Sequence, residues 1–194
     1  MTTHPNLCSF FTYSVNDYIL PDLKRLREEI RPNQDEKGLQ GCTVPTAMFA
    51  FSILDLVGFL MRPDNTAKRD ETTKNISYML SVTAGLFPAE YEPSSEVLIK
   101  LFRHGLMHQV FPKACGIAKT PPSLNLPLIF YQSNTPNLNV DRLVDDLVKA
   151  LLSLDAKVRT DGVLATRMEG RLLDLYREDQ NQLQKMKTKG LVAP

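Results

Sequence analysis

The sequence predicts a mainly α fold, an antiparallel helical bundle with a small β-hairpin insertion. Three observations carry this expectation. Apolar residues recur at helical spacing over most of the chain, one long segment is apolar on nearly every side, and a proline-punctuated, β-prone stretch interrupts the helices near residue 120. At 194 residues, 43% of them hydrophobic, the chain is long enough for one domain with a substantial core. That domain spans 1–194, with the bundle core over about 15–160, the β-prone insert over about 113–132 and an extended C-terminal helix over about 163–187.

The first helix is expected from about Val15 to Ile30, with Tyr18, Ile19, Leu23, Leu26 and Ile30 at helical spacing and Arg31-Pro32 as its stop. Asn33 to Gly41 is polar and reads as a loop. Thr43-Val44-Pro45 opens a second helix, since proline is tolerated in a first turn. Met48, Phe49, Phe51, Ile53, Leu54, Leu56, Val57, Phe59, Leu60 and Met61 then surround it, which marks a central, buried helix. A third helix is expected over Thr66 to Ala84, with Ile76, Met79, Leu80 and Ala84 inward. A fourth starts at Pro93-Ser94-Ser95 and runs through Val97, Leu98, Leu101, Phe102 and Leu106 towards Val110.

Lys113 to Thr120 and Leu124 to Tyr131 are short and β-prone, and are expected to pair as a hairpin at the edge of the bundle. Prolines 121, 122 and 127 argue against a long central sheet. Asn139 has the character of an N-cap, with Leu138 and Leu143 placed for a hydrophobic staple. The helix beyond it carries a continuous stripe of Leu143, Val144, Leu147, Val148, Leu151 and Leu152. Asp161-Gly162 kinks or ends it, and a last helix, Leu164 to Lys187, leads into a polar tail that projects or frays.

Composition excludes several classes. The 23 basic and 22 acidic residues leave a net charge of +1, too little for a protein that coats nucleic acid, so any such contact must be local or built from two subunits. The apolar stretch from Ala47 to Met61 falls short of the ~20 residues of a bilayer span. Met-Thr-Thr-His-Pro-Asn lacks the features of a secretory leader. Cys8, Cys42 and Cys115 are odd in number and widely separated, which suits reduced thiols in a cytoplasmic protein without membrane contact.

The chemistry concentrates on the fourth helix. At about 100° per residue, Val97, Leu98, Leu101, Phe102, Gly105 and Leu106 form one apolar arc. Arg103 and His108 lie at the two edges of the remaining sector, with His104 and Lys100 between them. A face bearing a guanidinium, an ammonium and two imidazoles suits a phosphate, which arginine grips bidentately while histidine takes or gives a proton. Cleavage of RNA by its own 2′-hydroxyl needs those roles and no metal. Arg103 and His108 are equally compatible with a surface charge and a hydrogen-bonded boundary residue. His104 and His108 are also an i, i+4 pair able to hold a metal, but the neighbourhood offers no third ligand and the remaining histidine is His4, so no metal is expected. Asp55, the one charge within the apolar second helix, calls for a partner, for which Arg62 and Arg103 are the candidates. Gly105 in mid-helix suggests close approach of another backbone or a ligand.

The run Arg103-His104-Gly105-Leu106-Met107-His108 has the form R-polar-x-x-x-H and resembles the signature of the HEPN domain superfamily, over about Thr43 to Arg159 in outline. The resemblance implies a helical bundle and a metal-independent endoribonuclease or RNA-binding protein, working as a homodimer without cofactor, with an antitoxin-like protein as a possible partner. It further implies Arg103 and His108 as the catalytic pair, supported by His104, Lys100 and Asp55. His104 stands where asparagine is frequent in the family. The alternative expectation is a non-enzymatic helical interaction module using the polar face of the fourth helix. A third is a small-molecule pocket near Tyr131 and Phe102, closed by the hairpin.

Overall fold

Thr43–Met61, the segment apolar on every side, forms the helix around which the others are arranged. The computed structural model describes residues 6–28, 43–109, 116–118, 127–130 and 136–189. The protein is mainly α, with six helices among the described residues. Helix α1 covers 7–28, α2 Thr43–Met61, α3 Thr72–Met79, α4 91–109, α5 Val140–Val158 and α6 Gly162–Thr188. Three short strands lie between α4 and α5: β1 Gly116–Ala118, β2 Leu128–Phe130 and β3 Pro136–Asn139.

Helix α2 touches each of the other five helices, and its Ala47, Ala50, Leu54, Val57 and Leu60 have no exposed surface. By length and composition it would be able to cross a membrane, which the reading from Ala47 missed by starting four residues late. Here 61% of it is buried within the fold, as expected of a central core helix. One buried cluster runs from Phe10 on α1 to Leu175 on α6.

Helix α1 begins earlier than its apolar stripe suggested, because the Asn6 side chain accepts the Ser9 N–H at 2.8 Å and caps it. Its Phe10–Ile19 stretch is π-helical, and the Leu20 N–H still reaches the Val15 carbonyl five residues back. The wider turns rotate the buried face, so Phe10, Phe11, Val15 and Ile19 point inward while Tyr18, expected inward, is 54% exposed. Helix α3 is shorter than the expected 66–84. Residues 62–71 are held as a loop by side-chain bonds described below. At the other end Ser81 donates to the Tyr78 carbonyl at 2.7 Å and accepts the Ala84 N–H at 3.3 Å, local bonds that compete with the helix. Ile76, Met79, Leu80 and Ala84 are nevertheless all fully buried.

The expected pairing of the first two β-prone segments does not form. β3 lies between them, parallel to β1 (Ile117 opposite Leu138) and antiparallel to β2 (Ile129 opposite Asn137). Pro136 disguised this strand in the sequence, yet it stands at the first position, where a missing N–H is tolerated. Asn139 ends β3 and caps α5, accepting the Arg142 N–H at 3.1 Å, while Leu138 and Leu143 at the expected staple positions are both fully buried. Asp161 likewise ends the turn after α5 and caps α6 through the Leu164 N–H at 2.9 Å.

Candidate functional site

The site is built where α2, α3 and α4 meet. A glycine makes that meeting close: a Cβ on Gly58 would stand 2.0 Å from the Asn75 carbonyl oxygen, so no other residue fits without moving α3. The close approach slides Asn75, fully buried, alongside Asp55, one helical turn before Gly58.

Asp55 takes more than the single partner expected for it, and of the two candidates Arg103 is the one that pairs with it. Its Oδ1 accepts from Asn75 Nδ2 at 2.9 Å and its Oδ2 from the Thr72 hydroxyl at 2.7 Å. Arg103 stands further off, with Nη2 4.0 Å from Asp55 Oδ2 and 3.2 Å from Thr72 Oγ1. Thr72 thus relays the carboxylate to the guanidinium. Arg62 is not Asp55's partner. Its buried side chain turns to Glu71 at 2.9 Å, to the Asn75 carbonyl oxygen Oδ1 at 2.9 Å and to Asp64. Burial opposes the Arg62 charge, but Asp64 and Glu71 outweigh it and raise its pKa. The hydrogen bond from Arg62 in turn lowers Asp64. One polar network therefore runs Arg103, Thr72, Asp55, Asn75, Arg62, Glu71.

A cavity of about 270 Å³ opens at the Arg103 end, lined by Phe51, Ser52, Asp55, Leu56, Arg69 and Arg103. Its wall carries two guanidiniums against one carboxylate that Thr72 and Asn75 already satisfy. The Ser52 hydroxyl donates to the Met48 carbonyl at 2.9 Å, leaving its oxygen lone pairs towards the space. Arg103 is 18% exposed, enough for a ligand to reach it but too little for it to wander.

The other expected residues are distributed unevenly. His104 Nδ1 lies 3.4 Å from Arg103 Nη1, and because a guanidinium only donates, the ring nitrogen is the acceptor in a hydrogen bond between them. Lys100 is not at the cavity. It is exposed and bonded to Glu96 at 2.5 Å, one turn back on the same helix, and it lowers the Glu96 carboxyl. His108 lies in the last helical segment of α4, His104–Gln109, and its side chain is outside the described residues. Leu98–Arg103 is π-helical, with the His104 N–H bonded to the Ile99 carbonyl. That register buries Ile99, which a 100° wheel leaves off the apolar arc, and sets Arg103 against α3. Gly105 is buried, as close packing requires.

Sequence reasoning missed Arg69, Thr72 and Asn75. Nothing in the periodicity of residues 66–79 distinguishes them. Their signal is the polar cluster Arg69 to Asn75 following an aspartate in an otherwise apolar helix. The small-molecule pocket expected beside Tyr131 is not this cavity: Phe102 does not line it, and Tyr131 lies outside the described residues. Among the described residues no three histidine, cysteine, aspartate or glutamate side chains cluster as metal ligands. In comparisons with known proteins, no family model, curated protein or solved structure matches the chain.

Proposed function

We propose that this chain is a HEPN-like protein acting on RNA, a metal-independent endoribonuclease whose site is the Arg103 end of the α2–α3–α4 junction. The observation that carries the reading is the placement of Arg103, braced by Thr72 and 4.0 Å from Asp55, at the wall of a cavity on the helix that also bears His104 and His108. Bracing matters because a preorganised cation stabilises developing charge without reorganising during the reaction.

In the reaction the 2′-oxygen bonds to phosphorus and the P–O5′ bond breaks, leaving a 2′,3′-cyclic phosphate. The 2′-hydroxyl proton passes to a base, and the departing 5′-oxygen takes a proton up. His108 fills the acid–base role, and two copies in a homodimer provide both forms of it. Arg103 grips the non-bridging oxygens, with Asp55 and Thr72 holding its orientation and His104 accepting from its far edge.

The purified chain is expected to cleave single-stranded RNA in EDTA, and Arg103→Ala and His108→Ala each to lose roughly 100-fold or more. Equal trace cleavage by wild type and both variants overturns the reading and favours a non-enzymatic interaction module.

A further inference from the structure

We propose that Arg69 is a second phosphate-binding residue, gripping the phosphate that flanks the one held at Arg103. This rests on the RNA reading above and adds a residue to that site. Arg69 lines the same cavity as Arg103, from the loop between α2 and α3. The two differ in how they are held. The Arg103 side chain is braced by Thr72, whereas the Arg69 side chain has no hydrogen-bond or ion-pair partner among the described residues.

The backbone of Arg69, by contrast, is tied down. Asn75 Nδ2 lies 3.4 Å from the Arg69 carbonyl oxygen and 3.3 Å from that of Lys68. The Glu71 N–H bonds the Lys68 carbonyl at 3.3 Å, and Lys68 N–H bonds Glu71 Oε2 at 3.2 Å. A fixed main chain with an exposed guanidinium that has no partner among the described residues is the arrangement of a residue whose partner arrives with the ligand. Arg159, also exposed, is held differently, pairing bidentately with Asp155 at 3.0 Å.

The charge balance fits an oligoanion. Asp55 keeps its negative charge, so the wall is net positive by one, and because the two guanidiniums are separate groups an occupant must present two anionic groups to engage both. Successive phosphates of single-stranded RNA meet that requirement. Asn75 also couples the two halves, because its one amide bonds both the carboxylate behind Arg103 and the carbonyl of Arg69.

The test uses a 2′-O-methyl RNA oligonucleotide, which cannot be cleaved, titrated into the full chain with fluorescence anisotropy as the readout. Arg69→Ala is expected to bind about tenfold more weakly, since a hydrogen bond to a charged group is lost. Its log-affinity slope against log salt is expected to be shallower by about 0.7, the value for one phosphate contact on a single strand. Arg69→Lys recovers part of the affinity because the charge remains without the fork. Unchanged affinity and slope in Arg69→Ala overturns the proposal, whatever cleavage does. A loss seen with inorganic phosphate but not with the oligonucleotide also overturns it, since the site would then hold the free ion. Wild-type cleavage by Arg103→Ala and His108→Ala overturns the parent reading instead, and the two failures are told apart.

Discussion

Among the arginines that reach α2 from other helices, Arg171 and Arg103 are made different objects by their surroundings. Arg171, on α6, meets the carbonyl end of α2. Its Nη1 donates to the carbonyls of Phe59 and of Arg62, the latter at 2.8 Å, and its Nη2 to that of Asp64 at 2.7 Å, while the ring of Phe59 lies 5.3 Å from the guanidinium carbon. Arg167, one turn earlier, donates to the Met61 carbonyl at 3.0 Å. The Phe59 and Met61 carbonyls are among the acceptors that a helix leaves unpaired at its C-terminus, those of Arg62 and Asp64 follow in the loop, and a cation there also answers the helix dipole. Burial lowers the Arg171 pKa, yet both Nη1 and Nη2 donate to main-chain carbonyls. Arg103 meets the flank of α2 instead, where Thr72 and His104 engage part of its fork and the cavity receives the rest. Two charges of one type thus divide into a strut and a binding group according to whether main-chain carbonyls engage both ends of the fork or a cavity receives part of it.

The comparison breaks first on stability. Arg171→Ala is expected to destabilise by about 3 kcal/mol, because several helix-terminal carbonyls lose a charged donor at once. Arg103→Ala is expected to cost about 1 kcal/mol or less, since Thr72 and Asn75 still satisfy Asp55 after the guanidinium is gone. Urea unfolding of both variants checks this. A larger loss in Arg103→Ala would make it the strut and remove the distinction.

A smaller effect sharpens the junction between the two regions. Asn75→Ala removes a fully buried amide that bonds Asp55 and Arg62 at 2.9 Å each, leaving a carboxylate and a guanidinium each short of one partner. The expected loss is about 2 kcal/mol, together with weaker RNA binding, as Arg69 and Asp55 lose a common anchor. Measured affinity at wild-type level in a folded Asn75→Ala protein would show that the network holds the fold and not the site.

How much of this was legible follows from the nature of each signal. Helices α2 and α5 were readable to within a residue or two, because many apolar positions and a clear cap agree at Thr43, Asn139 and Leu143. The buried status of Asp55's surroundings was readable, since a lone charge in an apolar helix demands partners. Of its partners Arg103 was named, and Thr72 and Asn75 were not. Asn75 reaches Asp55 only because Gly58 admits the α3 backbone, a contact between residues 17 apart in sequence that no periodicity encodes. The arc expected on α4 is right in Leu98, Phe102, Gly105 and Leu106 but omitted Ile99, and α1 departs from its expected stripe at Tyr18, two discrepancies with one shared reason. Both helices contain π-helical turns, at Phe10–Ile19 and Leu98–Arg103, and a wheel drawn at the α repeat rotates Tyr18 inward and Ile99 outward. The hairpin failed because strand partners depend on the path of the chain, and the central strand β3 began with the residue that most resembles a loop.

The smallest expected effect is a titration that isolates the loop carrying Arg69. Glu71 is bonded by Lys74 at 2.5 Å, by Arg62 at 2.9 Å and by the Lys68 N–H, and these partners, the lysine foremost, pull its carboxyl from 4.5 down to about 2. A folded value below the unfolded one means that the stabilisation is complete above pH 4.5 and is lost as pH falls through about 2. The stability difference between wild type and Glu71→Gln is therefore expected to be constant at neutral pH and to shrink steadily across that interval. Differencing against the variant matters, because Asp64 and Glu96 are also lowered and titrate in acid on their own account. Urea midpoints recorded for both proteins from about pH 6 to pH 2 read the effect. A difference that stayed flat would mean that Glu71 is held by solvent, and that the loop bearing Arg69 owes its position to Asn75 and the Arg62–Asp64 pair alone.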